Sequence, residues 1–158
     1  MRKIKAFLFL NLESKLLMIE ALLYLGWARI LKQKPFSKVA PSLGQYMEET
    51  AQVLADSESK KDLARVSQAI HMMSKYTFWE SKCLVKAIAA MKMLERRRIG
   101  STMYLGTAKD EKGDLIAHAW LRSGPYFICG SEGMEKFTVV SMFANKKSRK
   151  PIQGENYG

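Results

Sequence analysis

The chain contains few of the residues that bind metals or form disulfides. Its 158 residues include two cysteines, Cys83 and Cys129, and two histidines. These residues are too few, and too widely spaced, for an ordinary zinc site. A bond between the two cysteines is not expected either, because nothing in the sequence indicates export to an oxidising compartment. We therefore expect two free thiols, no metal and no cofactor.

Long uninterrupted apolar runs are also missing. Residues 6–10 are apolar and follow a basic start, which imitates a secretory signal, but Asn11, Glu13 and Lys15 interrupt the run. No uninterrupted run approaches the roughly 18 to 20 residues that a membrane span needs. We interpret this segment as the start of a helix and expect a cytoplasmic protein. Contact with a membrane surface is the less favoured alternative.

Positive charge is abundant but spread along the chain. The formal net charge is +11, with +5 in residues 1–75 and +6 in residues 76–158. Binding to nucleic acid usually requires basic residues that are concentrated on one face or element. We therefore expect no nucleic-acid partner, and a basic scaffold or nucleic-acid binder remains the non-enzyme alternative. Diffuse charge can keep a protein soluble or steer an acidic peptide toward it.

Helical spacing of apolar residues dominates the first half of the chain. Residues 13–31, 45–54 and 59–75 each repeat apolar side chains at three- and four-residue steps. In the first stretch we expect a buried amphipathic helix, with the apolar residues Leu16, Leu17, Ile19, Leu22, Leu23, Trp27, Ile30 and Leu31. Pro35 and Pro41 mark residues 33–42 as a connector. The pattern predicts an N-terminal helical lobe over residues 1–75, without strands.

The period changes from about 3.6 to about 2 after Gly100. One more helix precedes this glycine, with Cys83 near its start. Strands are predicted over residues 102–108, 114–122, 126–129 and 137–143. The fold class is therefore α+β, with one helix packed on a small antiparallel sheet. The size of the chain favours a single domain with one core.

Cys83 and His118 are the two residues that could carry covalent chemistry. The start of a helix favours a thiolate, because unpaired amide protons and the helix dipole stabilise negative charge there. An imidazole on a facing strand can accept the thiol proton and later return it to a leaving amine. This combination indicates a cysteine peptidase or an acyltransferase. His71 lies on a predicted helix among apolar neighbours, and we expect it to be structural.

These motifs resemble a known family. The order of a cysteine helix, a strand, an Ala-His-Ala-Trp strand and a further hairpin strand is similar to the transglutaminase-like core of the papain superfamily. More narrowly, the chain resembles the lasso-peptide maturation proteases, which remove the leader from a ribosomally made precursor. The segments that carry this likeness are Trp79–Val85, Tyr104–Glu111, Ala117–Arg122 and Phe137–Val140.

The resemblance implies a division of the chain, a reaction and partners. The protease core would span residues 76–145, followed by a basic and disordered tail over residues 146–158. The leader would be cut through a thioester on Cys83, with His118 as base and then acid. The expected partners are the lasso precursor and a separately encoded winged-helix protein that recognises the leader, and the lasso cyclase is a further candidate.

One position departs from this family's pattern. Family members commonly carry an Asp about twelve residues after the histidine, where this chain has Gly130. Hairpin geometry makes Glu132 the nearest carboxylate in sequence to the required place, with Glu135 as an alternative. Ser131 or a backbone carbonyl could orient the ring instead and leave a Cys-His dyad. We expect Cys129 to lie opposite His118 as an inert buried thiol.

Further residues near the site have weaker signals. Trp79 and Trp120 could wall the cleft or belong to the core. Arg96, Arg97 and Arg98 follow the nucleophile helix, where basic residues compensate the helix dipole. A role of this triplet in binding the leader is the less favoured interpretation.

Overall fold

Helices cover one face of an antiparallel sheet in the computed structural model, which describes residues 5, 8, 9, 11–51, 57–76 and 83–146. The helices are α1 (Leu12–Lys32), α2 (Phe36–Val39), α3 (Ser57–Tyr76) and α4 (Cys83–Arg96), and 3-10 turns cover Ala40–Leu43 and Met134–Lys136. The strands are β1 (Gln45–Tyr46), β2 (Ser101–Lys109), β3 (Leu115–Ser123), β4 (Tyr126–Cys129) and β5 (Thr138–Asn145). The α+β class is confirmed.

The described residues form a five-stranded sheet with the order β1-β5-β2-β3-β4, and every neighbouring pair is antiparallel. Strands β2 and β3 form the central hairpin, in which Lys109 pairs with Leu115 at the turn. The Asp110 carboxylate accepts hydrogen bonds from the backbone N–H groups of Lys112 and Asp114 and so closes this turn. The predicted hairpin is confirmed.

Helix α1 is confirmed, but most of the apolar residues predicted to be buried in it are exposed. The Asn11 side chain caps the first turn by accepting a hydrogen bond from the Ser14 N–H. The buried residues are Met18, Ala21, Leu25 and Ala28. Of the predicted residues, Leu17 and Leu31 pack against the core, whereas the others include five that are exposed: Leu16, Ile19, Leu23, Trp27 and Ile30. Small alanines let α1 approach the alanine-rich helix α4 closely, and sequence spacing does not reveal which of two apolar stripes will find such a partner.

Residues 45–46 form strand β1, so the predicted helix over residues 45–54 and the strand-free N-terminal lobe are both wrong there. Gly44 adopts a φ of 117° and turns the chain onto the sheet edge. Gln45 then pairs with Ala144, and Tyr46 pairs and packs with Phe143. These contacts come from the last strand of the chain, so they override a local helical preference. Residues 52–54 lie outside the described residues.

The third and fourth helices agree with their predictions. Helix α4 buries Val85, Met93 and the run from Ala87 to Met91, so it lies inside the core rather than at its surface. Arg98 ends the helix in a left-handed conformation, φ 57°, and the Ile99 N–H bonds the Leu94 carbonyl. Basic residues thus accompany the helix end, as predicted.

The β3–β4 turn lies within residues 123–125, which the predicted strands leave as their connection. Ser123 pairs with Tyr126, so the connecting residues are Gly124 and Pro125, and a bulge then pairs Leu121 with Cys129. The prediction that Cys129 lies opposite His118 is wrong, because the turn and the bulge together set a different register. Such shifts depend on backbone torsions that residue spacing alone does not specify.

Residues from α1, α3, α4 and the sheet contribute to one hydrophobic cluster. The division of the chain at residues 75 and 76 stays a prediction, and this shared core runs across it. The predicted tail lies almost entirely outside the described residues. Within the described ranges, no helix combines the length and apolar character needed to cross a membrane.

Candidate active site

Cys83 is the first residue of helix α4 as the structure describes it, and its side chain is partly buried against the core. Residues 77–82 lie outside the described ranges, and with them the predicted Ser81 cap and Trp79 wall. Cys129 belongs to the hydrophobic cluster, and Cys83 packs against the same cluster. Both thiols are free. Helix α4 also contacts strand β4.

Cys129 has the environment of an unreactive thiol. Its residue is 4% exposed. Burial, the largest cause, raises the pKa of its thiol to about 12. Because only the thiolate is a strong nucleophile, we expect Cys129 to be unreactive at neutral pH. The predicted burial of this thiol is confirmed, and its inertness stays a prediction.

His118 lies on β3, on the face of the sheet that points away from the helices. Its strand neighbours Ala119 and Leu121 belong to the helical core. Side chains alternate along a strand, so His118 and Trp120 share the opposite face. There the His118 ring lies 5.8 Å from the Trp120 ring and 5.0 Å from the Phe137 ring, between centroids. The imidazole is thus half-buried in an apolar setting.

The Gly130 carbonyl oxygen holds the His118 ring at a distance of 2.6 Å from Nε2. A carbonyl can only accept a hydrogen bond, so Nε2 must carry the proton and act as donor. In the neutral ring, Nδ1 is then unprotonated and free to act as a base. A backbone carbonyl thus orients the ring, which is one of the arrangements that the sequence left open.

Gly130 cannot be replaced by a residue with a side chain without strain. Its φ is 78°, in the left-handed region that favours glycine. A Cβ atom there would lie 2.3 Å from the Ala119 carbonyl oxygen and 2.9 Å from the Trp120 Cα. The same close approach that brings its carbonyl to His118 therefore excludes an aspartate at this position.

An aromatic stack supports the ring from the other side. Trp120 lies between His118 and Tyr104, with 5.7 Å separating the Trp120 and Tyr104 ring centroids. Gly106 pairs with His118, and a Cβ on this glycine would lie 2.9 Å from the Trp120 ring. Because Gly106 has no side chain, the Trp120 indole can pack directly against its backbone. Trp120 is 5% exposed, so it belongs to the support of the site more than to an open wall.

A buried arginine network continues this face, and the sequence reasoning missed it. Arg122 donates hydrogen bonds to the Tyr104 hydroxyl and to the Gly124 and Thr50 carbonyls, and its guanidinium pairs with Glu49 at 3.4 Å. Burial raises the pKa of the Tyr104 phenol above its usual value, and the Arg122 hydrogen bond opposes that rise. The network fastens residues 49–51 to the sheet. A signal was available, because Arg122 shares strand parity with His118 and Trp120.

The described part of the structure shows no contact between Cys83 and His118. Cys83 packs against the core at the start of α4, whereas His118 lies on the opposite face of the sheet, where Gly130 binds its ring. The pairing of these two residues stays a prediction. Among the described residues, no hydrogen bond joins the Cys83 thiol to this ring. Catalytic hydrogen bonds often close only when substrate is bound.

The other titratable residues proposed for this region lie elsewhere. Glu132 and Glu135 are exposed, in the turn after β4 and in the following 3-10 turn. A carboxylate role for Glu132 stays a prediction. His71 is exposed on α3, and its Nδ1 lies 2.7 Å from the Ser67 carbonyl oxygen, which agrees with a structural role.

Arg96 and Arg97 are engaged in ion pairs. Both Glu20 carboxylate oxygens accept hydrogen bonds from Arg97, and Arg96 lies 3.5 Å from the same carboxylate. The hydrogen bond with Glu20 raises the pKa of Arg97 above its usual value. These contacts tie the end of α4 to α1, which favours a structural role for the triplet over binding of a leader.

Comparison with known proteins identifies the family. The family model described as Transglutaminase-like superfamily matches residues 22–142. Searches of curated proteins and of solved structures gave no match. Members of this superfamily are typically cysteine peptidases or acyltransferases, which agrees with a cysteine at a helix start and a histidine on the neighbouring sheet. Because the match covers most of the chain and fits the observed α+β fold, the protein belongs to the transglutaminase-like superfamily.

Proposed function

We propose that the protein is a cysteine peptidase that removes the leader from a lasso-peptide precursor. The observation that carries the proposal is the tautomer of His118, whose Nε2–H is bound to Gly130 and whose Nδ1 is left as a base. The narrower family assignment rests on the resemblance of the segments around Cys83 and His118. It also agrees with membership of a superfamily whose enzymes use this pair of residues.

The reaction proceeds through a thioester. Nδ1 of His118 takes the proton from the Cys83 thiol, and the sulfur attacks the carbonyl carbon of the scissile peptide bond. The tetrahedral intermediate collapses, the C–N bond breaks, and the imidazolium gives its proton to the departing amine. Water, deprotonated by the same imidazole, then attacks the thioester and releases the leader as a free acid. No oxidant, metal or nucleotide enters this balance.

The helix start supplies the electrostatic help that this reaction needs. Amide N–H groups in the first turn of α4 have no partner within the helix and can stabilise both a thiolate and a developing oxyanion. The backbone N–H of Cys83 is the natural oxyanion donor. On this proposal, the site combines a nucleophile and an electrostatic stabiliser from α4 with a base from β3.

Recognition of the leader is assigned to a separate protein. A winged-helix module contains a small sheet of its own, whereas the described part of residues 1–75 contains only the two-residue strand β1, which joins the main sheet. We therefore propose that a separately encoded winged-helix protein presents the leader, and that the lasso cyclase acts on the released core peptide. The isolated chain would cut its precursor slowly.

The test is peptide mass analysis of a lasso precursor incubated with the chain and its recognition protein. Wild type should release leader and core fragments, whereas Cys83→Ala should leave the precursor intact and Cys129→Ala should cut it. Addition of a primary amine distinguishes the peptidase from the acyltransferase alternative, since an amide-forming acyltransferase would join the amine to the acyl fragment. Salt-sensitive DNA binding that is unaffected by Cys83→Ala, with no cleavage, would favour the non-enzyme alternative.

A further inference from the structure

Helix α1 is apolar on two opposite sides, and only one of them is covered. Its buried side, Met18, Ala21, Leu25 and Ala28, packs into the core. At 100° per residue, a second apolar line lies about 180° away around the helix. We call this line the outer seam: Leu12, Leu16, Ile19, Leu23, Trp27 and Ile30. Their exposed fractions run from 39% at Trp27 to 71% at Leu12.

The outer seam is too large to be ordinary surface. Six large apolar side chains, each about 40% to 70% exposed, present on the order of 600 Å² of apolar area, the upper end of the largest patch on a typical monomer. A standard interface buries about 800 Å² per partner. The seam together with the residues that border it reaches this size. The seam therefore has the dimensions of a protein interface.

Its spacing is that of a coiled-coil seam. Leu12, Leu16, Ile19 and Leu23 follow one another at steps of four, three and four residues, and Ile30 continues the same register after Gly26. Strict alternation of three and four residues produces the narrow a/d stripe that packs against another helix. A helix that lies on a bilayer usually carries a broader apolar face with basic borders. The outer seam is narrow, so a helix is the better occupant.

The charges beside the seam select a second copy of the same helix in parallel orientation. One border carries Glu13 and Glu20, and the other carries Lys15 and Arg29. In a parallel pair, each border of one helix faces the other border of the second copy. Lys15 of one copy then lies beside Glu20 of the other, and Leu22 of one copy lies beside Trp27 of the other. In an antiparallel pair, Lys15 would lie beside the second copy's Arg29 at both ends. Like charges at that distance disfavour the antiparallel arrangement.

Glu20 contributes little to the choice of orientation, because its carboxylate is already bound by Arg97 and Arg96 of the same chain. The preference for a parallel pair rests on keeping Lys15 and Arg29 of the two copies apart. Pairing across a two-fold axis along the helix would bring matching seam residues together and close the assembly at two copies. We propose that the protein self-associates through the outer seam, with the α1 helices of two copies parallel and in register.

Sedimentation of the full chain over a range of concentrations tests the association. Wild type should form dimers at micromolar concentration, and Leu23→Glu should weaken association at least about 100-fold, because a carboxylate would be buried in the seam. Leu115→Glu is the matched control, since Leu115 is 73% exposed on the β2–β3 hairpin, away from α1. Thermal unfolding of each variant shows that it is folded. A wild-type chain that stays monomeric, or equal weakening by both variants, would overturn the proposal.

Disulfide trapping tests the orientation. In a background with Cys83→Ser and Cys129→Ala, Leu12→Cys should crosslink to itself on oxidation, whereas a mixture of Leu12→Cys and Ile30→Cys should give little mixed product. A dominant mixed product would contradict the parallel arrangement. Binding to vesicles of anionic phospholipid by a chain that remains monomeric would assign the seam to a membrane and reject self-association.

Discussion

The Nε2 atom of His118 lies 2.6 Å from the carbonyl oxygen of Gly130. This contact places the orienting group of the proposed base on the main chain, where no side-chain substitution can remove it directly. A carbonyl also cannot exchange a proton with the ring, so it fixes one tautomer. The Gly130 carbonyl can therefore orient the ring without the aspartate that family members commonly carry at this position. Nε2 remains the donor and Nδ1 remains the base.

The first prediction concerns the backbone at Gly130. Gly130→Ala should destabilise the fold by roughly 3 kcal/mol or more, because it combines a left-handed φ with a clash against a backbone oxygen. Gly133→Ala is the control, since Gly133 has a similar φ of 74° and open space around its missing Cβ. That variant should cost only about 1 kcal/mol. Urea unfolding measures both, and equal losses would show that the close approach at Gly130 is unimportant.

Glu132→Gln separates the two candidate orienting groups. If the Gly130 carbonyl holds the ring, this variant should cut the precursor within about threefold of the wild-type rate, because a group that does not touch the base contributes little to proton transfer. The measurement is the initial rate of leader release. A loss of about 100-fold or more would instead give Glu132 the carboxylate role that the sequence suggested.

Residue patterns located most elements because local spacing decides them. The β2–β3 hairpin follows from alternation on both sides of a polar turn, and α4 follows from its apolar residues and basic end. Strand β1 could not be found in this way, since Gln45 and Tyr46 pair with residues about 100 positions later in the chain. Long-range contacts of this kind override local preference.

The same limit applies to the site. The sequence indicated Cys83 and His118, because a reactive residue at a helix start or in a strand is visible in the pattern. The partner of His118 depends on the exact turn between β3 and β4 and on a bulge between Leu121 and Arg122. The role of Arg122 depends on residues 49–51 crossing to the sheet. Residue spacing places Arg122 on the same strand face as His118, but it reveals neither the bulge nor the crossing of residues 49–51.

The ion pair between Glu20 and Arg97 should stabilise the contact of α1 with α4. Glu20→Gln should lower the free energy of unfolding by about 1 to 3 kcal/mol, because Arg97 would lose two charge-assisted hydrogen bonds in a half-buried place. Glu13→Gln is the matched control, since Glu13 meets Arg65 at 3.7 Å on an exposed surface. Its cost should be below about 0.5 kcal/mol. Chemical denaturation would contradict this account if the two variants behaved alike.

Burial of Cys129 predicts a loss of stability at alkaline pH. Burial raises the pKa of this thiol from 9.0 to about 12 in the folded protein. Since the folded pKa is above the unfolded one, the contribution is fully present below pH 9 and is lost as pH rises toward 12. The unfolding free energy of wild type should therefore fall more steeply over this interval than that of Cys129→Ala. Parallel curves for the two proteins would show that the thiol is not buried as the structure describes.

The most direct test of the central claim is a double-mutant cycle on the rate of leader release, with the recognition protein present. Cys83→Ala and His118→Gln should each lower the rate by at least about 1,000-fold, and the double variant should be no slower than Cys83→Ala alone, because residues that act as one unit are not additive. Cys129→Ala should retain the wild-type rate. Cleavage that persists within about tenfold of wild type in either single variant would contradict a thioester mechanism on Cys83 with His118 as its base.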